Sequence, residues 1–264
     1  FMKSGMRLLI VGGGYIGLEA AATARKFGVD VTLVEIEERI LKRVAAKETS
    51  DFIRSLHISN GVNIKEAVGL GKLEIADDKV LSASLTDGSD INVDFIIIGI
   101  GITPNTELAE GANLKINNGI FINDKCQTSV SNIYAAGDCT SFEYKDTLVR
   151  LESVGNAIDQ ATIVAQNIMK QNTNYIPKPW FWSDQYDLKL QIAGLNTGYD
   201  EVVVRKGKNK QVSHWYFKGQ SLLAVDALND PRCYMIGKRL IEGNKSPPKN
   251  QLRDENFNLK VLLK

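Results

Sequence analysis

Leu8-Leu9-Ile10-Val11-Gly12-Gly13-Gly14-Tyr15-Ile16-Gly17-Leu18-Glu19, followed by Val31-Thr32-Leu33-Val34-Glu35, is the stretch that settles the architecture. Leu8 to Val11 is a short apolar run, and Gly17 to Phe27 is rich in Ala and Leu at helical spacing before Gly28 stops it. Strand, tight turn and helix follow one another, and the second apolar run ends at Glu35. The first 35 residues therefore predict one βαβ unit with parallel strands. Gly12, Gly14 and Gly17 satisfy Gly-x-Gly-x-x-Gly around Tyr15 and Ile16. Glycine at those places permits the turn, the approach of backbone to a pyrophosphate, and close packing of helix on strand. Glu35, 18 positions after Gly17, stands where a carboxylate accepts from both adenosine ribose hydroxyls and repels a 2′-phosphate. The pattern predicts NAD rather than NADP.

Beyond Glu35, Lys47 to Ser59 predicts an amphipathic helix, and Gly61 to Phe95 predicts an antiparallel meander punctuated by Asp77-Asp78 and Asp87-Gly88. Phe95 to Ile98 reads as a strand covered on both faces, ending in Gly99-Ile100-Gly101 before Pro104. A short helix near Asn105 to Gly111, strands at Ile120 to Ile122 and Ile133 to Ala136, and a helix from Val154 to Lys170 come next. Gln171 to Pro179 is a polar boundary. After it, strands at Leu188 to Ala193, Glu201 to Arg205, Val212 to Lys218 and Ser221 to Ala227 precede a helix from Pro231 to Glu242. The closing Leu259 to Leu263 is expected to pair with a sheet or dock on a core.

The charge balance, 32 Lys plus Arg against 31 Asp plus Glu, gives no global field that would draw the chain to nucleic acid or membrane. At 44% hydrophobic and 24% charged residues the composition is globular. Cys126, Cys139 and Cys233 form no Cys-x-x-Cys pair and the two His are far apart, so neither a disulfide framework nor a metal site is expected. A reducing cytoplasm fits. Cys139 is read as an inert buried thiol. Phe1 stands ahead of Met2, which reads as an internal start.

A second signal is Thr128 followed by Ile133-Tyr134-Ala135-Ala136-Gly137-Asp138, a run into a Gly-Asp corner. With the glycine turn and the meander it makes the chain resemble the NADH-dependent ferredoxin reductases, the rubredoxin, putidaredoxin and oxygenase-coupled reductases of the pyridine nucleotide-disulfide oxidoreductase superfamily. The resemblance extends to Gly99-Ile100-Gly101, to Arg150-Leu151-Glu152-Ser153-Val154, which looks like the segment under the flavin, and to Pro179-Trp180-Phe181-Trp182-Ser183-Asp184-Gln185. It implies that Gly137 and Asp138 hold the FAD ribitol, that Ser153 and Val154 lie under the flavin, that Glu19 and Glu152 lie near the nicotinamide, and that Arg43 lies beside the adenosine. Trp182, and less so Trp180, would lie on the electron exit path. Bare of the resemblance, each has a structural reading: an acid favoured in the first turn of a helix for Glu19, a surface charge for Arg43, an ion pair near Arg150 for Glu152, a core aromatic for Trp182.

The resemblance implies an α/β fold with a Rossmann-like NAD-binding domain and its meander (1–102), half of an FAD-binding domain (103–173) and a small α+β C-terminal reductase domain (174–264). It implies hydride transfer from NADH to FAD and single-electron delivery to a ferredoxin or rubredoxin-type iron–sulfur partner. The chain has one glycine turn where these reductases have two, and the gap from Gly17 to Gly99 is too short to hold a second dinucleotide domain. The Gly12 turn is thus read as the NAD site, the FAD-adenosine half as lying outside this chain, FAD binding as weak, and self-association as covering the incomplete half. The alternatives are an NAD-binding, redox-signalling module without its own flavin chemistry, and a disulfide reductase, against which the absent Cys-x-x-Cys counts.

Overall fold

Alternation in the first strand decides how the layers form: Leu8 and Ile10 turn to one face and Leu9 to the other, and all three are fully buried. The computed structural model describes residues 2–208 and 210–263. By internal packing the chain divides into two units. One comprises Phe1–Gly101, Trp182–Ile192 and Asn196–Lys264, the other Ile102–Phe181 and Ala193–Leu195.

In the first unit β1 (Arg7–Val11), α1 (Tyr15–Lys26), β2 (Asp30–Glu35), α2 (Lys47–Ser59), β3 (Asn63–Glu66), a meander of β4 (Leu70–Ala76), β5 (Lys79–Leu85) and β6 (Asp90–Asn92), and β7 (Phe95–Ile98) follow in order. The parallel sheet runs β3-β2-β1-β7. Its Leu8 and Ile10 face packs under the helices in one buried cluster with Leu18, Ala21 and Ile53, and the same cluster takes in Leu188, Leu190, Val212 and Leu228 from the far end of the chain. Leu9 and Val34 pack on Ala83, Leu85 and Val93 of the meander region. Two sequence expectations are corrected. β3, read as part of the meander, pairs in parallel with β2, and β7, read as covered on both faces, is an edge strand with Ile98 58% exposed.

The second unit holds α3 (Glu107–Gly111), β8 (Ile120–Phe121), β9 (Thr140–Tyr144), β10 (Thr147–Val149) and α4 (Val154–Ile168). Its small core is Ile122, Cys126, Phe142 and Tyr175. No strand forms at Ile133 to Ala136, where only an isolated bridge joins Gln127 and Tyr134. The sheet is instead completed by β9 and β10, which the sequence reading did not predict.

β11 (Trp180–Gln185) opens a five-stranded sheet, order β11-β12-β15-β14-β13, with β12 (Leu188–Gly194), β13 (Glu201–Lys206), β14 (Val212–Lys218) and β15 (Ser221–Leu228). α5 (Pro231–Glu242) lies close on it: a Cβ on Gly237 would stand 2.5 Å from Val225 Cγ1 and 3.3 Å from Trp215. α6 (Lys249–Arg253) and a 3-10 helix over Leu259–Leu263 close the chain, so the tail that was expected to pair or dock does the latter, burying Leu259. Arg205 of β13 holds this tail, its guanidinium donating to five main-chain carbonyls between Gln251 and Phe257.

Candidate functional site: a glycine cradle beneath a helix N-terminus

The turn after β1 has no room for side chains on its strand side. A Cβ on Gly12, whose φ is +108°, would stand 2.3 Å from the Gly99 carbonyl oxygen, and one on Gly17 would stand 2.1 Å from the Gly12 carbonyl oxygen. Neighbouring strands converge there, with Gly12 N–H donating to Val34 O and Gly99 N–H to Val11 O, both at 2.8 Å. On the outer side the geometry reverses: nothing lies within 4 Å of where a Gly14 Cβ would be. Gly14 is the N-cap of α1, with no side-chain cap and no acidic residue in the first turn. The amides of that turn, with the positive end of the helix dipole, are available to an anion.

Glu35 is fixed beside this cradle. Gly13 N–H donates to its Oε2 at 2.7 Å and Glu37 N–H to its Oε1 at 2.9 Å. Each oxygen keeps a further acceptor site, as a pair of ribose hydroxyls requires. Ile16 and Ile100, each 68% exposed, stand out at the turn and at the end of β7. Gly101, with φ +112°, has Arg43 Nη2 3.8 Å from its absent Cβ, and Arg43 itself is exposed. Tyr15 points its ring inward, where burial and then the Asp226 carboxylate push its hydroxyl pKa up. The residues present fit a dinucleotide.

Glu19 is the fifth residue of α1 rather than a first-turn acid, and Ser183 Oγ donates to its Oε1 at 2.5 Å. Trp182, beside Ser183, is 39% exposed, so its ring is packed only in part. Ser183 and Gln185 lie in the Trp heptapeptide, yet the sequence reading used only its aromatics. Their i, i+2 spacing on a strand, which turns both to one face, was the available signal.

In the second unit the Gly137 corner has φ +88°, and its N–H donates to Gln160 Oε1 at 2.7 Å, leaving Asp138 exposed. Gln160 Nε2 is buried without a hydrogen-bond partner, an unfilled donor close to the corner. Ser153 caps α4 by accepting from Asn156 N–H at 3.2 Å, and Val154 follows, 58% exposed. The corner, cap and orphaned amide fit the flavin part of FAD. Glu152 pairs with Arg150 itself, 2.6 Å away. Cys139 is half-exposed, not buried as expected, whereas Cys126 and Cys233 are buried and their thiols are pushed up to about 11 and about 12, chiefly by burial. Among the described residues no group of His, Cys, Asp and Glu is arranged to hold a metal.

Residues 2–161 match the family described as "Pyridine nucleotide-disulphide oxidoreductase", and residues 180–263 match "Reductase C-terminal". Rhodocoxin reductase of Rhodococcus erythropolis is 38% identical over 99% of this chain and 62% of its own length. Putidaredoxin reductase of Pseudomonas putida is 40% identical over 97% and 62%. A solved putidaredoxin reductase, in covalent complex with putidaredoxin, superposes with a TM-score of 0.95 at 40% identity, covering 99% of this chain and 64% of that one. The chain thus spans less than two thirds of the length of these relatives, and the likeness to ferredoxin reductases read from its motifs is the one they bear. With a glycine cradle, an acid-fixed turn and these matches, the chain belongs to the pyridine nucleotide-disulphide oxidoreductase family.

Proposed function

We propose that this chain carries the NADH-binding and C-terminal parts of a flavoprotein reductase that takes a hydride from NADH and delivers electrons singly to a ferredoxin or rubredoxin-type iron–sulfur protein. FAD, when bound, would supply the chemistry that couples two-electron uptake to one-electron release. The chain's residues bind and orient. Gly12, Gly14 and Gly17, with the first amides of α1, take the NADH pyrophosphate, Glu35 takes the adenosine ribose, and Arg43 with Gly99, Ile100 and Gly101 borders it. Glu19 serves the nicotinamide. In the second unit Gly137, Asp138, Ser153 and Val154 serve the flavin and Glu152 the nicotinamide, while Trp182 is assigned to electron exit. The division into 1–102, 103–173 and 174–264 belongs to the same proposal.

Cytoplasmic residence is part of the reading, supported by three free cysteines and by the lack, among the described residues, of any helix long and apolar enough to cross a membrane. Exposed Ile158, Ile168 and Met169 on and just after α4 support self-association.

The observation that carries the reading is the open N-terminus of α1 at Gly14 with Glu35 fastened at Gly13. Calorimetric titration of the chain tests it. A 2′-phosphate would meet the Glu35 carboxylate, a like-charge contact worth up to several kcal/mol, so NADH is expected to bind at least about tenfold more tightly than NADPH. Comparable affinities would reject it.

A further inference from the structure

We infer that Ser183, itself held by Gln185 and His57, is a positioning residue that sets the Glu19 carboxylate for the nicotinamide half of the dinucleotide. The inference rests on the proposed placement of Glu19 beside that half. Its own support is a hydrogen-bond chain joining three elements. Ser183 Oγ donates to Glu19 Oε1 at 2.5 Å, Gln185 Nε2 donates to Ser183 Oγ at 3.0 Å, His57 Nε2 lies 2.8 Å from Gln185 Oε1, and the Tyr186 hydroxyl lies 3.3 Å from His57 Nδ1.

The donors admit one arrangement. A carboxylate only accepts, so the single serine proton is committed to Glu19, and the serine lone pair takes the Gln185 amide hydrogen. The Gln185 carbonyl therefore faces His57, whose Nε2 must carry hydrogen, and Nδ1 is left to accept from Tyr186. Burial lowers the His57 pKa and favours this neutral ring. The Tyr186 ring stands edge-on to His57 with centroids 5.1 Å apart. Every donor in the chain points toward Glu19.

Ser183, Gln185 and His57 are fully buried, whereas Glu19 is half-buried at the end of the chain. Interior side chains in a satisfied network are rigid, and a glutamate on a helix surface otherwise samples many rotamers. Ordering one such side chain before the ligand arrives is worth a factor of about two to ten in affinity. Ser183 is thus a means by which β11, far along the chain, sets a group on α1.

ADP-ribose separates this role from general support of the fold, because it keeps the adenosine, the pyrophosphate and a ribose but lacks the nicotinamide ring. Calorimetry on the full chain is expected to show Ser183→Ala weakening NADH by about two- to tenfold with ADP-ribose unchanged, and Ser183→Thr, which restores the hydroxyl, returning NADH affinity toward wild type. Equal weakening of both ligands, or no change in either, overturns the proposal. His57→Phe keeps the aromatic packing and removes the donor to Gln185; it carries the same test if Ser183→Ala does not fold, and a wild-type ratio of the two affinities there is a failure. Glu19→Ala separates the premise. If it leaves that ratio unchanged, the placement of Glu19 is wrong; if it lowers the ratio while Ser183→Ala does not, only the role of Ser183 is lost.

Discussion

The indole Nε1 of Trp180 lies 2.4 Å from the point where a Cβ on Gly155 would stand, and two further indole atoms lie within 3.0 Å of it. The first turn of α4 is therefore open to the ring only because residue 155 is glycine. Helix propensity alone favours alanine by about 1 kcal/mol, but the methyl would drive the indole out of its seat, and overpacking costs about 1–3 kcal/mol. Gly155→Ala is expected to destabilise by up to about 2 kcal/mol in urea unfolding and to alter the near-ultraviolet circular dichroism. A gain in stability would mean the ring is not seated there.

Glu35 both meets the dinucleotide in our proposal and ties the Gly13 and Glu37 amides. Glu35→Ser cannot reach those amides, so the variant is expected to lose about 1–3 kcal/mol of stability, to bind NADH more weakly, and to discriminate less against NADPH. Thermal unfolding and paired titrations read both effects. Retained discrimination in the variant would place the specificity elsewhere.

His214 and Asp226 face each other across β14 and β15, both buried, with Thr49 between them: its Oγ1 is 2.7 Å from His214 Nδ1 and 2.7 Å from Asp226 Oδ2. The Tyr216 hydroxyl also donates to Asp226 and accepts from Ala46 N–H at 3.0 Å. Burial pushes the Asp226 carboxyl up from 3.8 to about 6 and the His214 imidazole down from 6.5 to about 4. Tyr15 and Tyr216, with hydroxyl pKa values raised mainly by burial, stay neutral in this window. Between pH 4 and 6 the folded chain keeps an Asp226 proton that the unfolded chain has released, so this group lowers stability as pH rises. Over the same range the folded chain lacks a His214 proton that the unfolded chain holds, so this group raises it. The two slopes oppose each other. Asp226→Asn should therefore gain about 3 kcal/mol more than wild type on going from pH 4 to 6, and His214→Gln should lose about as much relative to wild type. Urea unfolding at several pH values tests this, and parallel curves for the three proteins would contradict it.

Arg205 gathers the carbonyls of Gln251, Leu252, Asp254, Glu255 and Phe257 onto one planar fork. A lysine ammonium keeps the charge but cannot span them. Arg205→Lys is expected to cost at least about 2 kcal/mol and to make the tail a substrate for trypsin at Arg253 sooner than in wild type. Unchanged cleavage would mean the tail is secured by Leu252 and Leu259 alone.

What was legible in the sequence was local. The glycine turn, the α2 helix at Lys47 to Ser59, β14 and α5 form with the bounds or patterns expected, because their hydrophobic periods and stop signals lie within a dozen residues. β3 escaped because Asn63-Ile64-Lys65-Glu66 offers a single apolar residue, and its strand character comes from pairing with β2. Ile133 to Ala136 misled for the opposite reason, being apolar with no sheet to join. At the candidate site the Gly12 cradle and Glu35 were readable from spacing. The Glu19 tether was not: His57 and Gln185 are 128 positions apart, and nothing local marks a buried polar pair brought together by tertiary structure.

The shared core of the first unit has a consequence for how the protein is made. Leu8, Ile10 and Ile53 belong to one buried cluster with Leu188, Leu190, Val212 and Leu228, so the residues up to Gly101 leave the ribosome with their sheet under its own helices but with part of that cluster still missing. At roughly 5–20 residues per second, on the order of ten seconds of translation separate Gly101 from Leu228. Contacts of such long sequence separation also slow refolding from denaturant, and an incomplete apolar face exposed for seconds is where a chaperone would bind.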